Sequence, residues 1–172
     1  MKHFLFLVLV LTFFTACKST SPITNSKKAD PKEQSIQSEK RKVQRLVEQL
    51  IDAAAENIGV KYRYGGTTKS GFDCSGLMVN IFDSNEISLP RTSIQQSKHG
   101  IILDHEQEKA KKGDLIFFKT NRNRQINHVG IVIEVNEDEI KFIHASTSRG
   151  VMISSTKEVY YKTRFAQLNR VL

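Results

Sequence analysis

The sequence has few of the residues from which metal-bound scaffolds are built. Its 172 residues contain two cysteines, Cys17 and Cys74, five histidines and no tryptophan. The cysteines form no C-x-x-C pair and the histidines no H-x-x-x-H pair, so the close-spaced ligand pairs of a structural zinc site are missing. No internal repeat is visible. We therefore expect neither a metal nor another cofactor.

Long hydrophobic runs are also scarce. The apolar run over residues 4–14 is too short for a stable membrane span. A positive charge precedes it and Ala16-Cys17 closes it, which predicts a secretory signal over residues 1–16. A cysteine after a small residue at the cleavage point is typical of a bacterial lipobox, although Phe14 stands where leucine is usual. We expect lipidation of Cys17 and a membrane anchor; the alternative is a plain signal that leaves Cys17 as a free thiol.

The net charge of +8 is concentrated in one part of the chain. Residues 18–45 carry eight basic and three acidic residues, whereas residues 46–172 carry a net charge of only +2. The basic stretch has no aromatic side chains for stacking on bases, so we expect no nucleic-acid partner. It is rich in Ser, Lys, Thr and Gln and has almost no apolar content. This composition predicts a flexible, lipid-anchored tether over residues 17–41 and a folded domain over residues 42–172.

Hydrophobic periodicity predicts the elements of that domain. Helical spacing indicates a helix over residues 43–58, a second beginning at about Cys74, and a short third from Thr92 or Ser93 to Lys98. After Gly113 the pattern becomes that of strands, which we expect at residues 114–119, 128–135, 140–145, 151–154 and 165–171. Helices followed by strands predict an α+β fold, with the helices packed on one face of a five- to six-stranded antiparallel sheet.

Cys74, His128 and His144 are candidates for a nucleophilic catalytic site. Cys74 opens the second predicted helix, whereas His128 and His144 each lie in an apolar strand. A helix start favours the thiolate, so we expect a depressed thiol pKa. A neighbouring imidazole can take the thiol proton, and a second polar group can orient that imidazole. On paired antiparallel strands the two imidazoles can lie within hydrogen-bond reach, so the pattern favours a cysteine-hydrolase site.

Each of these residues also has a structural interpretation. Cys74 could be a buried small hydrophobe, and His128, which has no acidic neighbour, could be structural or solvated. His144 shares a strand face with Phe142 and could be a core histidine. Asp73 could be a helix cap. His99 and His105 receive no role.

Six short sequence motifs follow one another along the chain. They are Tyr62-Arg63-Tyr64-Gly65-Gly66, Phe72-Asp73-Cys74-Ser75-Gly76, Leu89-Pro90-Arg91-Thr92-Ser93 with Gln95-Gln96, Gly113-Asp114-Leu115-Ile116-Phe117-Phe118, His128-Val129-Gly130-Ile131 and His144-Ala145-Ser146. Together they resemble the NlpC family of papain-like cell-wall peptidases, from about Gly59 to Leu172. We see no recognisable wall-targeting module.

The resemblance implies hydrolysis of amide bonds in peptidoglycan stem or cross-link peptides, at γ-D-glutamyl–diaminopimelate or D-alanyl–diaminopimelate. It matches Cys74 with the family nucleophile, His128 with the general base and His144 with the orienting residue. It matches Tyr62 with the tyrosine that helps to hold the oxyanion. It requires no cofactor, and we expect a monomer in the bacterial cell envelope, anchored in the outer membrane and facing the periplasm.

Five polar residues near these positions are candidates for substrate binding: Asp73, Ser75, Arg91, Ser93 and Gln96. An arginine there suits a substrate rich in carboxylates. Two alternatives remain open. One is a catalytically idle lipoprotein that binds wall peptides, and the other is an amidase or acyltransferase on the same fold.

Overall fold

The structure, a computed structural model, describes residues 30–104 and 109–172. The elements of these residues, in chain order, are α1 (Pro31–Ala55), β1 (Thr67–Thr68), β2 (Gly71–Phe72), α2 (Cys74–Asp83), α3 (Ser93–Gln96), β3 (Ile101–Ile102), β4 (Leu115–Phe118), β5 (His128–Val135), β6 (Ile140–Ser146), β7 (Gly150–Ser155), α4 (Val159–Lys162) and β8 (Phe165–Arg170). The α+β prediction is confirmed. No helix of this part of the chain is both long and apolar enough to cross a bilayer.

The main sheet is antiparallel and has six strands in the order β3-β8-β4-β5-β6-β7. Strands β4 to β7 form a meander, because each pairs with the next along the chain. Strand β8 returns to the free edge of β4, with a register shift between Phe117 and Phe118. Residues 119–127 connect β4 to β5, and residues 136–139 connect β5 to β6.

The first helix is longer than its hydrophobic pattern predicts. It begins at Pro31 instead of residue 43, because the Asp30 side chain accepts from the Lys32 N–H at 2.9 Å and proline occupies the first turn. Residues 31–45 are all exposed, so no packing holds this extension. Residues 31–41, which the sequence predicts as part of a flexible tether, are helical, and the division of the chain into tether and domain stays a prediction. Cys17 and the predicted signal lie outside the described residues.

Two hydrophobic clusters cover the two faces of the sheet. The first joins Leu50 of α1 and Leu77 of α2 to Ile131 of β5. The second lies on the opposite face, where Phe142 of β6 packs with Tyr161 of α4. Helices α1 and α2 thus pack on one face, as the sequence predicts, and α4 covers part of the other. Since successive strand residues alternate between faces, His128 and His144 lie on the face that carries Phe142 and Tyr161.

Candidate active site

Cys74 is the first residue of α2, and the loop before it is tightly built. Asp73 caps the helix, with its Oδ1 accepting from the Gly76 N–H at 2.6 Å. A Cβ at Gly76 would collide with the backbone carbonyl of Gly66, so this first turn requires glycine. Because Cys74 occupies the first helical position, its own N–H has no acceptor within the helix.

The sulfur of Cys74 lies against the beginning of β5. Its Sγ is 3.8 Å from the carbonyl oxygen of Asn127, and the Val129 N–H also donates toward the sulfur. These two backbone groups flank His128, so the fold brings the thiol to the strand residue predicted as its partner. Cys74 as a residue is only 7% exposed.

The ionisation of the thiol differs from the sequence-based prediction. Burial first, and then the charge of Asp73, raise the pKa of Cys74 to about 11, although the N–H groups of Val129 and Ser75 oppose the shift. The predicted depressed pKa is therefore wrong, because the burial of the sulfur outweighs the helix start. The free protein holds a neutral thiol at neutral pH.

His128 and His144 are hydrogen-bonded to each other, with His128 Nε2 lying 2.8 Å from His144 Nδ1. The pairing register of β5 and β6 places Gly130 opposite His144, so His128 reaches the His144 ring diagonally across the two strands. A Cβ at Gly130 would lie 2.7 Å from the carbonyl oxygen of Ile143 and 3.2 Å from the Cβ of His144. The missing side chain leaves room for the His144 ring, and the predicted imidazole contact is present.

Two hydroxyl groups hold the far side of the His144 ring. Its Nε2 lies 3.1 Å from Ser154 Oγ and 3.2 Å from the Tyr161 hydroxyl. No sequence pattern pointed to either residue. Ser154 is the last residue of a predicted strand, and Tyr161 lies in a short helix that no hydrophobic pattern predicted. Their contacts with His144 arise only because β7 and α4 pack against β6.

Both imidazoles are buried and neutral. Burial lowers the pKa of His128 to about 4. Burial first, and then the charges of His128 and Arg149, hold the pKa of His144 well below its ordinary value. At pH 7 each ring therefore carries one proton, and its place on the ring is set by the hydrogen bonds that the ring makes.

Tyr62 lies beside the nucleophile loop through a bridge to Phe72. Burial first, and then the charges of Cys74 and Asp73, raise the pKa of its hydroxyl. Since the hydroxyl stays protonated, it can donate a hydrogen bond toward the space around Cys74.

Asp73, Ser75 and Arg91 form one cluster behind the thiol. The Arg91 guanidinium donates to both carboxylate oxygens of Asp73, at 3.0 and 2.6 Å, and to Ser75 Oγ at 3.0 Å. Burial opposes the ionisation of Asp73, but Arg91 and the N–H groups of Gly76 and Gly65 lower its pKa overall. The charge of Arg91 is thus matched within the protein, and a substrate carboxylate would have to displace Asp73.

Gln96 is fully buried, and the structure contradicts its expected place in a substrate groove. Its Nε2 donates to the backbone carbonyls of Ser75 and Pro90, which ties α3 to α2. A short α3 carries this side chain inward, a direction that the sequence did not reveal. Ser93 is also buried, at the first position of α3. Among the described residues no group of three or more histidine, cysteine, aspartate or glutamate side chains is placed to hold a metal ion.

A thiol at a helix start, next to a hydrogen-bonded histidine pair on an antiparallel sheet, defines a cysteine peptidase of papain-like architecture. The chain belongs to the NlpC/P60 family, whose sequence profile matches residues 59–170. The resemblance inferred from the six motifs is therefore confirmed, and so is the class of enzyme.

Two curated relatives and one solved structure illustrate the similarity. The chain is 44% identical over 114 residues to the "Probable endopeptidase NlpC" of Escherichia coli, covering 66% of this chain and 70% of the relative. It is 40% identical over 124 residues to the "Murein DD-endopeptidase MepS/Murein LD-carboxypeptidase" of the same species, covering 72% and 62%. An NlpC/P60 family protein from Bacillus cereus superposes with a TM-score of 0.64 at 33% identity, covering 73% of this chain and 40% of that one. These relatives support peptidoglycan hydrolase activity.

Proposed function

We propose that this protein is a lipid-anchored endopeptidase that cuts cross-link or stem peptides of peptidoglycan through Cys74, His128 and His144. The observation that carries the proposal is the contact of the Cys74 thiol with the backbone on both sides of His128, whose ring is held by His144 at 2.8 Å. The family membership and the names of the murein endopeptidase relatives supply the substrate class.

The hydrogen bonds favour one tautomer of each ring. His128 can take the thiol proton on Nδ1 if its Nε2–H donates to His144 Nδ1. His144 then carries its own proton on Nε2, where Ser154 and Tyr161 offer hydroxyl oxygens as acceptors. We assign these two residues the role of positioning His144, and through it His128.

In the first half of the reaction the sulfur attacks the amide carbon while the thiol proton passes to His128 Nδ1. The neutral thiol and neutral imidazole of the free protein make this transfer part of the attack. The tetrahedral oxyanion accepts hydrogen bonds from the Cys74 N–H and the Tyr62 hydroxyl. His128 then gives its proton to the leaving amine as the C–N bond breaks, which leaves a thioester on Cys74.

In the second half, water attacks the thioester and gives a proton to His128. Collapse of the second tetrahedral intermediate releases the carboxyl product, and the proton returns to the sulfur. His128 thus acts as a base and as an acid in each half, while His144 keeps its ring in one orientation. No cofactor takes part in these reaction steps.

For the scissile bond we propose the D-alanyl–diaminopimelate cross-link. Its support is the name of a relative 40% identical to this chain, a murein DD-endopeptidase. Cleavage at γ-D-glutamyl–diaminopimelate is the other candidate, and the products separate the two. Cleavage of the D-alanyl–diaminopimelate cross-link converts cross-linked peptide dimers to monomers. Cleavage at γ-D-glutamyl–diaminopimelate shortens the stem peptide.

We also propose that the protein acts at the membrane surface. The pair Ala16-Cys17 after an apolar run supports acylation of Cys17 in the cell envelope. The residue after the cysteine is Lys18 and no acidic run follows, which supports retention in the outer membrane, facing the periplasm.

Mass spectrometry of the products tests the proposed function. The purified full-length protein should release diaminopimelate-containing fragments from purified wall sacculi, the Cys74→Ala variant should release none, and unfolded casein should stay largely intact. Digestion of casein with untouched sacculi would defeat the wall-peptide substrate and leave the peptidase chemistry. Binding to sacculi without hydrolysis would favour the idle wall-peptide binder, and products that carry an added amine would favour an acyltransferase.

A further inference from the structure

A polar cavity of about 280 Å³ opens beside His128, and Arg91 is not among its described lining residues. Hydroxyl-bearing side chains form much of its wall: Thr120, Ser146, Thr147 and Ser148. Arg149 also lines it, and no described residue of its lining carries a carboxylate. A space with hydroxyl donors, one guanidinium and no acid favours an anionic group.

Arg149 and His128 line the same cavity. Arg149 is exposed, and the described residues offer it no ion-pair partner. It lines the same cavity as His128 and Tyr161, and its charge adds a small part to the lowering of the pKa of His144, which burial causes first. The arginine expected to bind substrate carboxylates from sequence, Arg91, is instead occupied by Asp73.

The direction of the reaction relates this cavity to one half of the substrate. In the proposed mechanism the acyl half stays on Cys74, while the leaving amine receives its proton from His128. The leaving half must therefore lie against His128, and the cavity is the space that His128 itself lines. An amino acid released at its amine carries its α-carboxylate one carbon away, within the reach of a long arginine side chain.

We propose that the cavity lined by His128 and Arg149 is the leaving-group subsite, and that Arg149 binds the free α-carboxylate of the amino acid whose amine is released. The inference rests on the proposed function and adds a requirement on the substrate. The enzyme prefers a leaving residue with a free carboxylate over the same residue as an amide. A guanidinium–carboxylate pair is planar and bidentate, so the preference depends on the arginine fork as well as on charge.

The kinetic test uses two synthetic peptides that differ only in the leaving residue, which ends in a free carboxylate or in a carboxamide. The full-length protein should cleave the acid with a kcat/KM about tenfold higher than the amide. Arg149→Gln should remove that difference by slowing the acid alone, and Arg149→Lys should restore part of it. Arg122→Gln, an exposed arginine of the β4–β5 loop outside the cavity lining, is the matched control and should keep the difference. Equal loss on both peptides in Arg149→Gln would overturn the subsite.

A binding measurement separates this proposal from the proposed function. In the Cys74→Ala variant, diaminopimelate should shift the NMR signals of the His128 ring, and its diamide should not. The added Arg149→Gln change should abolish the shift, whereas Arg122→Gln should leave it. If the shift obeys this pattern but the unsubstituted protein cuts no wall peptide, the subsite stands and the proposed function fails. If acid and amide bind alike, the subsite is overturned whatever the activity.

Discussion

At the scale of single residues, the site is defined by burial as much as by residue type. The thiol of Cys74 and the imidazoles of His128 and His144 are all largely shielded from water. Shielding disfavours each charged form, so it raises the pKa of the thiol and lowers those of the rings. The raised pKa of the thiol and the lowered pKa values of the imidazoles both disfavour a thiolate–imidazolium pair in the free protein.

The first prediction concerns the alkylation of Cys74. The rate with a small alkylating reagent should be low near pH 7 and rise toward alkaline pH, because thiolate becomes abundant only near the thiol pKa of about 11. The measurement is the second-order rate constant from pH 5 to pH 10, with unfolded protein as the reference thiol. A rate plateau well below pH 8 would restore the thiolate–imidazolium pair and contradict the neutral resting state.

The second prediction separates the roles of the histidines. His144→Gln should keep activity within about tenfold of the unsubstituted protein, because the amide can accept from His128 Nε2 and donate toward Ser154. His128→Gln should lose about 10²- to 10⁴-fold, because an amide cannot carry the proton. The measurement is kcat/KM with far-UV circular dichroism to check folding, and His99→Gln serves as the control. Equal and complete loss in both variants would show that the proposed division of roles is mistaken.

At the scale of elements, one strand and one helix start assemble the site. Strand β5 supplies His128 and the backbone that contacts the sulfur, while α2 presents Cys74 at its first turn. Strand β6 then brings His144 alongside, at a point where β5 has Gly130. The site therefore depends on close backbone packing, and glycine is required where that packing is tightest.

The third prediction tests this packing. Gly130→Ala should lower stability by about 1–3 kcal/mol, because its Cβ would crowd the carbonyl oxygen of Ile143, and should reduce activity further by displacing the His144 ring. Denaturant unfolding and kcat/KM measure the two effects. Leu168→Ala, a core truncation in β8, should cost about 2–5 kcal/mol while activity per folded molecule is retained. Full activity in Gly130→Ala would mean that His144 needs no such close approach.

The exposed first half of α1 is a second finding at this scale. Its capping by Asp30 and an ion pair between Lys42 and Glu39 at 2.8 Å are local interactions, and exposed pairs of this kind contribute little. The buried part of the helix begins only near Leu46. The hydrophobic pattern therefore located the packed half of α1, while capping and helix propensity determined where the helix begins.

At the scale of the whole molecule, the main sheet carries one hydrophobic cluster on each face. The candidate active site takes residues from both faces. Cys74 belongs to the cluster under α1 and α2, whereas the histidine rings lie on the face that carries Phe142 and Tyr161. In the mechanism and subsite that we propose, the acyl half of the substrate lies on the Cys74 side, and the leaving half lies in the cavity near Arg149.

The fourth prediction concerns the position of the molecule in the cell. Cys17→Ser should move the protein from the membrane fraction to the soluble envelope fraction, because in our proposal the acyl chains on Cys17 supply the anchor. Fractionation followed by immunoblotting measures this, and protease treatment of intact cells should leave the unsubstituted protein uncut. Persistent membrane binding of the variant after signal cleavage would exclude acylation of Cys17 as the anchor.

Features that depend on local pattern could be predicted from the sequence. Strand alternation placed His128 and His144 where their rings could meet, the Gly-rich string placed Cys74 at a helix start, and the order of helices and strands determined the α+β class. These features follow from periodicities that neighbouring residues impose on one another.

The pairing of charges and the burial of ionisable groups depend on the three-dimensional fold. It paired Arg91 with Asp73, buried Gln96 against backbone carbonyls, raised the pKa of Cys74 and brought Tyr161 onto His144. Each of these outcomes depends on contacts between residues far apart in the chain. Burial and ion pairing are properties of the surroundings in three dimensions, so residue type and spacing leave them open.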